Sequence, residues 1–421
     1  MQYCKTYKSG LRLVARKMPS LFTVSFGVFV NVGSVRESSE TNGYSHFIEH
    51  MQFKGTNRFN AVQISEAMDD IGAQMNAFTS KDMTCYYTKS ASGDLEKCVD
   101  LLADMYFNST FDETELEREK KVVIEEIDMG NDNPEDVCQD LLCEAAYKNQ
   151  KMGQTIVGTA QNIEYSDRHS ILNFKKKYYV ASNTVISVAG NFDVDKLDNL
   201  IEKYFEPYFD LSAQPVEEEE KSIHTDLFLH KFKDTEQSHV ALAFDGVAIL
   251  PEEDRILFSM MSNILGGGLS SRLFQTIREQ NGLAYSVGSY PSTYQHSGFL
   301  TIYCGTNPKN LQKLHQLLEQ ELEKFVQEGI TAKELERTKA QLVNGMYMSM
   351  ENSMSVMTAF GRHFVKCNQI LDVEARAKAF SQATVEEVNQ MAKKVLLNSP
   401  ASCYVGKQVD GFDLISKIKL G

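Results

Sequence analysis

An internal repeat is the feature that most constrains how this chain folds. The segment VSFGVFVNVGS begins at Val24 and HVALAFDGVAI begins at His239, and each leads through an acidic stretch into an apolar helical segment. A second pair, a helical segment followed by a strand that ends in glycine, occurs at 166–190 and again at 381–406. The separation of the first pair matches that of Gly190 and Gly406 to within a single position, and this agreement indicates a tandem duplication.

The run FDLSAQPVEEEEKS at 209–222 separates the two copies. It contains a proline and four consecutive glutamates, so we expect a solvated linker there. A chain of 421 residues is also too long for one hydrophobic core, and we predict two domains, at 1–208 and 223–421. Strand patterns such as TCYYTKSA and long amphipathic helices such as the one at 331–352 predict the α+β class, with helices packed on one side of each sheet.

The composition limits which partners the protein is expected to bind and in which cellular compartment it is expected to reside. A net charge of -14 argues against nucleic acid and anionic membranes as partners. The eight cysteines include no C-x-x-C pair, which is typical of free thiols in a reducing compartment. No apolar run approaches the roughly 18 residues that a membrane-spanning helix needs, and the alternating run LFTVSFGVFVNV is typical of a strand rather than a signal peptide. We expect a cytoplasmic protein, and the N-terminus without a transit peptide favours a bacterial source.

The segment GYSHFIEHMQFKGT places two of the nine histidines beside a carboxylate. His46 and His50 are four residues apart, so on a helix they lie on one face and direct two ring nitrogens to one point. Glu49 reaches the same point from roughly 60° around the helix axis. Two nitrogen ligands and a nearby carboxylate base are what a hydrolytic zinc site requires. A solvated helix face also explains the histidine pair, so a third ligand has to decide.

The segment ETELEREKKVVIEEIDMG, which begins at residue 113, supplies candidates for that ligand. Glu119 and Glu126 are seven residues apart and share a helix face. Acidic helix faces are usually just solvated. Val122 and Val123, however, lie between the two glutamates on the same side and predict a buried face, where a carboxylate requires a cation or a hydrogen-bond partner.

These segments carry a family resemblance. HFIEHMQFKGT, followed further along the chain by EREKKVVIEEI with Glu126, resembles the pitrilysin/insulinase family of inverted zinc (HxxEH) metallopeptidases. More narrowly, the chain is similar to the half-length members, the bacterial processing proteases and the catalytic subunit of the mitochondrial processing peptidase. The similarity covers the whole chain, because the second half and the segment ELERTKAQLVNGMYMSMENS also match. It implies two tandem domains, each a mostly antiparallel sheet covered by helices, joined as a clamshell by the acidic linker.

The resemblance also implies the roles of the residues in the first domain. His46, His50 and Glu126 would bind one Zn²⁺ per chain, and Glu49 would be the base that activates the zinc-bound water. Because zinc lowers the pKa of that water to about 7, Glu49 need accept only a modestly acidic proton. Glu119 would orient one of the ligands from outside the coordination shell.

The second domain is expected to lack the zinc-binding motif but to contribute an arginine–tyrosine pair. When the two copies are aligned on Val24 and His239, the three motif positions of the second copy hold apolar residues: Met261, Ile264 and Leu265. The segment IREQNGLAYSVGSY resembles the family's arginine–tyrosine segment, which implies that Arg278 and Tyr285 hydrogen-bond the substrate carbonyl and the developing oxyanion. An arginine followed by a tyrosine seven residues later is nevertheless common in itself.

The strand pattern NAFTSKDMTCYY resembles the family's edge strand, which pairs with an extended substrate. Asn76 and Ala77 are the substrate-binding candidates on that strand. Backbone pairing of this kind makes little demand on the sequence of the substrate. An ordinary half-buried strand after a turn explains the same pattern equally well.

Taken together, the sequence predicts a zinc-dependent endopeptidase that hydrolyses short or unfolded peptides in a closed chamber, and an acidic lining would favour basic peptides. In the double-length relatives the arginine–tyrosine pair comes from the far half of the molecule. A half-length chain is therefore expected to form a C2 homodimer, in which Arg278 and Tyr285 of one protomer complete the zinc site of the other. The alternative is a noncatalytic peptide-binding or scaffold subunit of the same family.

Overall fold

The chain folds into two compact units, and each unit takes one segment from the opposite half of the sequence. The computed structural model describes residues 2–420. The first unit comprises the residues up to Ile127, Thr155–Glu218 and Tyr347–Leu371. The second unit comprises Asp128–Gln154, Glu219–Met346 and the residues from Asp372 onward. The predicted domains at 1–208 and 223–421 follow the sequence repeat, and they stay a prediction. The compact units have different bounds, since each unit includes one segment from the other half of the sequence.

Each unit is built on one sheet. The first sheet contains β1 (Gln2–Thr6), β2 (Arg12–Lys17), β3 (Thr23–Val30), β4 (Gln74–Thr79), β5 (Thr84–Ala91) and β6 (Thr184–Gly190). The second contains β7 (Phe228–Phe232), β8 (Ser238–Asp245), β9 (Ala284–Thr293), β10 (Gly298–Thr306) and β11 (Ala401–Gly406). The strand orders are β1-β2-β6-β3-β5-β4 and β7-β11-β8-β10-β9. Neighbouring strands are antiparallel except for the β2–β6 and β7–β11 pairs, so the predicted α+β class with mostly antiparallel sheets is confirmed.

Helices cover both sheets. In the described residues they are α1 (Tyr44–Met51), α2 (Ala61–Ile71), α3 (Leu95–Asn108), α4 (Glu113–Asp132), α5 (Pro134–Ala146), α6 (Ala160–Tyr165), α7 (Arg168–Tyr178), α8 (Val194–Tyr204), α9 (Glu252–Gly266), α10 (Leu311–Glu328), α11 (Ala332–Ser349), α12 (Ser353–Cys367), α13 (Val373–Gln382) and α14 (Val385–Leu396). None of these helices is both long and apolar enough to cross a membrane.

In the first unit the sheet is covered on both faces. Along β3, Val24, Phe26 and Val28 point into the main core, where they meet residues of α1, α3, α7 and α8. The alternate residues face α12, and the packing there is close, because a Cβ on Gly27 would collide with the sulfur of Met357. The sheet thus has the predicted helices on one side. The other side is covered by α12, a helix from the second half of the sequence that was not predicted there.

The second unit repeats this arrangement with α5, which comes from the first half of the sequence. The strand β11 directs Tyr404 into the core formed with α9, α10 and α14. Its neighbour Cys403 faces the opposite way, and its Sγ lies 3.5 Å from Sγ of Cys138 on α5. Helices α5 and α12 begin at Pro134 and Ser353, and this spacing is close to the repeat offset. The two helices are therefore equivalent elements of the duplication, each placed on the other copy's sheet.

Candidate metal centre

The apolar face of α1 fixes the orientation of the histidine motif. The residues of this face follow the i, i+3, i+4, i+7 pattern and are buried in the first core: Tyr44, Phe47, Ile48 and Met51. His46 and His50 therefore project together from a neighbouring face of the helix, with ring centroids 4.6 Å apart. The sequence spacing alone dictates this pairing, because positions four apart stand one above the other on a helix.

Helix α4 brings Glu126 to the two histidines. Oε1 of Glu126 lies 3.8 Å from Nε2 of His46, and Oε2 lies 3.5 Å from Nε2 of His50. One possible ligand atom from each of the three residues lies within 4.8 Å of the others. Across the part of the chain that the structure describes, no other group of three or more such side chains is arranged to hold a metal ion.

These separations fit a shared cation. Distances of 3.5 and 3.8 Å are too long for good N–H···O hydrogen bonds. Two ligand atoms bound tetrahedrally to zinc at about 2.0–2.1 Å lie about 3.3 Å from each other. Two imidazoles and one carboxylate are also a donor set of catalytic zinc sites, which leave a fourth position open. The residues present therefore fit Zn²⁺, and its binding here stays a prediction.

Glu119 lies behind His50 on the side away from Glu126. Its Oε1 is 2.8 Å from Nδ1 of His50, its Oε2 is 2.7 Å from Nζ of Lys54, and its side chain is only 5% exposed. Burial by itself raises the pKa of Glu119, but the hydrogen bonds from His50 and Lys54 outweigh it and hold the pKa below its usual value. The contact holds the ring of His50 in one orientation, and the predicted role of Glu119 in orienting a metal ligand stays a prediction.

Burial is the main cause of the pKa shifts of two motif residues, His46 and Glu49. Burial lowers the pKa of His46 to about 4, and the neighbouring His50 acts in the same direction, so His46 is neutral at pH 7 and keeps a lone pair for a metal. Burial also raises the pKa of Glu49. The charge of Glu126 acts in the same direction, whereas a hydrogen bond from Thr79 and the proximity of His50 oppose it. A carboxylate with a raised pKa is a stronger base.

The expectation that Val122 marks a buried face is wrong. Val122 is 51% exposed, and the side chain of Glu126 is 46% exposed, whereas Val123 is fully buried and Glu119 is 3% exposed. The buried face of α4 is centred on Leu116 and Val123, so the two glutamates lie at its border and Val122 lies beyond it. Glu126 therefore faces an accessible space rather than the core.

The strand β4 is the outer strand of the first sheet, and it runs to the motif helix. Its last residue, Thr79, donates a hydrogen bond from Oγ1 to Oε2 of Glu49 at 2.5 Å. Two residues before Thr79, the amide of Ala77 donates to Oδ1 of Asn76 at 2.8 Å. Both substrate-binding candidates thus lie on an unpaired strand edge that leads to the metal centre.

Arg278 and Tyr285 lie together in the second unit. Arg278 belongs to a π-helical turn, Phe274–Glu279, and its Nη1 donates to the carbonyl oxygen of Tyr285 at 3.0 Å. The guanidinium carbon lies 4.5 Å from the centroid of the Tyr285 ring, over its face. Tyr285 itself is 76% exposed. The pair is therefore preformed and accessible, and its action on a substrate stays a prediction.

The second copy keeps the motif helix without its polar groups. The three equivalent residues lie in α9 and are buried in the second core: Met261, Ile264 and Leu265. These apolar side chains contribute to the packing of the core, and the predicted loss of chemistry from the second repeat stays a prediction.

Two residues of the centre were not predicted from the sequence. Lys54 stands four residues after His50, and this helical spacing was an available signal, although α1 ends at Met51. Thr79 is far from Glu49 along the chain, and no local pattern marks it. It meets Glu49 only because β4 packs beside α1, which sequence periodicity does not reveal.

Comparison with family models gives two matches that together span most of the chain. Residues 12–160 match the model described as insulinase (peptidase family M16). Residues 167–342 match the model described as the peptidase M16 inactive domain. The inactive-domain match covers the repeat that lacks the histidine motif.

Curated relatives and solved structures agree with these matches. An uncharacterized zinc protease of Bacillus subtilis, YmxG, is 40% identical over 390 residues, which cover 93% of this chain and 94% of the relative. An uncharacterized zinc protease of Rickettsia felis is 34% identical over 406 residues, covering 95% and 96% of the two chains. Among solved structures, a protease from Helicobacter pylori superposes with a TM-score of 0.90 at 24% identity, over 96% of this chain and 99% of its own. The superposition shows that the fold is shared.

Proposed function

The chain belongs to the insulinase family of M16 peptidases, and from this premise we propose that it is a zinc-dependent endopeptidase that hydrolyses short or unfolded peptides. The observation that carries the proposal is the meeting of His46, His50 and Glu126 beside the partly buried carboxylate of Glu49. These three side chains would hold the ion. Bound there, zinc would supply Lewis acidity, polarising the substrate carbonyl and making water a stronger nucleophile at neutral pH.

Glu49 would accept the proton of the attacking water and then give it to the leaving amine. Burial raises the pKa of Glu49 and so favours proton uptake. Thr79 would hold one oxygen of the carboxylate in place through its hydrogen bond, which keeps the base in a single orientation.

The unpaired edge of β4 would bind the substrate as an added strand. The amide of Ala77 at present bonds to the side chain of Asn76, and a substrate carbonyl could replace that partner without loss of a hydrogen bond. Because such pairing reads the backbone, unfolded peptides rather than a consensus sequence would be the substrates. The net charge of -14 favours basic peptides among them, in a closed chamber that excludes folded proteins.

Arg278 and Tyr285 would bind the substrate carbonyl and the developing oxyanion. We propose that they act in a C2 homodimer, in which each protomer supplies this pair to the zinc site of the other. The exposure of Tyr285 and its preformed contact with Arg278 support this role, because a donor pair that acts on a partner's substrate has to be accessible.

The first test is cleavage of a quenched basic peptide by the purified protein, beside the Glu49→Gln variant and a chelated sample. Cleavage by the wild type that is lost in both controls is expected. No cleavage by a wild type that carries one zinc per chain would contradict the endopeptidase and favour the noncatalytic alternative, a peptide-binding or scaffold subunit. Zinc content and turnover therefore separate the two functions.

A mixing experiment tests the shared sites. Glu49→Gln and Arg278→Ala protomers are each expected to be inactive as homodimers. After subunit exchange, the mixed dimer contains one site with an intact base and an intact Arg278, so about a quarter of the wild-type activity should return when a 1:1 mixture has exchanged completely. Activity that does not return, although mixed dimers form, would contradict completion in trans.

The proposed location is the bacterial cytoplasm. The curated relatives reported above are bacterial proteins. All eight cysteines are free thiols, which suits a reducing compartment. Fractionation of the native host with an antibody against this chain would test the location directly.

A further inference from the structure

A second buried carboxylate, Glu37, lies at the N-terminus of the motif helix α1. Its side chain is fully buried. Oε2 accepts hydrogen bonds from the amide of Gly43 at 2.8 Å and from Nδ2 of Asn42 at 3.0 Å, and Oε1 accepts from the amide of Ser45 at 2.7 Å. Both oxygens are thus occupied by donors at the start of one helix.

These bonds replace the usual helix cap. Gly43 occupies the cap position with φ 103°, and it has no side chain with which to cap the helix. A larger residue cannot stand there, because a Cβ at Gly43 would lie 2.8 Å from the carbonyl oxygen of Val157. The free amides of the first turn therefore need an acceptor from elsewhere, and Glu37 provides it from the preceding loop.

The hydrogen bonds of Glu37 lie directly beside the first histidine of the proposed metal site. His46 comes only one residue after Ser45, whose amide is fixed by Glu37. Any rotation or unwinding of the first turn would move His46 relative to His50, which lies one turn further on, and relative to Glu126 on α4. Ligand atoms have to be held within a fraction of an ångström for tight zinc binding.

We propose that Glu37 is a positioning residue of the metal centre: its carboxylate fixes the first turn of α1 and thereby sets the geometry of His46, Glu49 and His50 toward the metal and the substrate. This inference rests on the proposed zinc site and deepens it. Glu37 touches neither the ligand atoms nor the substrate, so it acts through the helix alone. A carboxamide cannot replace the carboxylate, because both oxygens of Glu37 accept hydrogen bonds. The NH2 group of a carboxamide would face one of these N–H donors and could not accept from it.

The test compares Glu37→Gln with the wild type in zinc affinity, measured by competition with a chromophoric chelator. A visible absorption spectrum of the Co²⁺-substituted protein reports the ligand geometry independently of activity. We expect zinc affinity to fall about tenfold or more, the range found when groups that orient metal ligands are removed, and the cobalt bands to shift or weaken. If the variant cleaves peptide, kcat should fall more than KM rises, because the base and the ligands are displaced together.

The control is Asp193→Ala, which removes the cap of α8. Asp193 accepts from the amide of Lys196 at 3.0 Å, and α8 carries none of the proposed ligands. This variant should lose some thermal stability while zinc affinity and the cobalt spectrum stay unchanged. If Glu37→Gln behaves like this control, with lower stability and an unchanged metal centre, Glu37 is only a structural cap and the inference is wrong.

If Glu37→Gln does not fold, the test uses the milder variant Asn42→Ala. This substitution removes one of the three hydrogen-bond donors to Glu37 and keeps the carboxylate. It should weaken zinc binding in the same direction by a smaller factor, and unchanged affinity would again contradict the inference. A wild type that binds zinc tightly but cleaves no peptide would overturn the proposed peptidase alone, since the effect of Glu37 is read from the metal. A wild type that binds no zinc would overturn both.

Discussion

Nδ1 of His50 lies 2.8 Å from Oε1 of Glu119, and the second oxygen of the same carboxylate lies 2.7 Å from Nζ of Lys54. This chain of three side chains fixes which nitrogen of His50 carries the proton. With Nδ1–H donated to Glu119, the lone pair is on Nε2, the atom that faces Glu126. The arrangement directs the lone pair of His50 toward Glu126, as the proposed metal site requires.

Replacing Glu119 by glutamine should weaken zinc binding. The carboxamide cannot increase the basicity of His50 as the carboxylate does, and we expect affinity to fall about 10–100-fold. Competition with a chromophoric chelator measures the change. Glu125→Gln is the matched control, since Glu125 is an exposed residue of the same helix and should leave affinity unaltered. Equal affinities for the two variants would refute the role of Glu119.

Lys54 should act only through Glu119. Lys54→Met keeps much of the side-chain volume but removes the ion pair, and zinc affinity should fall by less than in Glu119→Gln. In the double variant the two effects should not add, because Lys54 has no carboxylate left to bind. Additive losses in the complete double-mutant cycle would mean that Lys54 affects the metal by a separate route.

Thr79→Val should lower kcat by about tenfold or more, because a hydrogen bond to a charged group is worth about 1.5–3 kcal/mol. The side chains are similar in shape, so the strand itself should be unperturbed. Thr79→Ser retains the hydroxyl and should recover most of the activity. Steady-state kinetics at saturating zinc provide the measurement, and a serine variant as slow as the valine variant would point to packing instead of the hydrogen bond.

Chelation should lower the thermal midpoint of the wild type. A ligand that binds only the native state stabilises it by about 4 kcal/mol when its free concentration is about 1,000 times its dissociation constant. His46→Ala should unfold at the same temperature with and without chelator, because one of three ligands is missing. Calorimetry of both proteins, with and without zinc, distinguishes this from a general effect of the chelator.

Glu334 should make stability fall in acid. Burial by itself raises the pKa of Glu334, but hydrogen bonds from Arg272 and Thr331 outweigh it and lower the pKa to about 2. Since the folded-state pKa lies below the ordinary value of 4.5, the contribution is complete above about pH 4.5 and is lost as the pH falls toward 2.

Glu334→Gln measures this contribution directly. We expect it to cost about 2 kcal/mol in the free energy of unfolding at pH 7, after allowance for solvent around the partly exposed pair. The difference between variant and wild type should shrink as urea denaturation is repeated from pH 5 down to pH 3. A difference that stays constant over this range would show that the charge of Glu334 is not responsible.

The sequence predicted the parts of the centre that depend on helical spacing. His46, Glu49 and His50 belong to one short motif, and their relative directions follow from 3.6 residues per turn. Glu126 came from a resemblance rather than from spacing, because its long separation from the motif along the chain contains no geometric information. Thr79 and Glu37 escaped prediction since each meets α1 through tertiary packing of a strand or a loop.

The class of the fold was equally accessible, whereas the placement of two helices was not. Alternation along β3 and the amphipathic helices predicted the sheets and the helices on one side of them, but not the helix that covers the other side. Amphipathic patterns show that α5 and α12 each bury a face, but the same pattern suits either sheet. Hydrophobic periodicity predicts that a helix buries one face, but it does not predict which of the two sheets that helix covers.

The exchange of α5 and α12 between the two units bears on how such a chain evolves. A copy that has lost its histidines would ordinarily be free to decay or to be deleted, since it no longer contributes a metal site. Here deletion of the second repeat would strip α12 from the sheet that carries the motif, and the surface left opposite Gly27 and Phe29 would be open to water. Loss of the second repeat would therefore also destabilise the sheet that carries the histidine motif, because a helix encoded by the other copy covers that sheet.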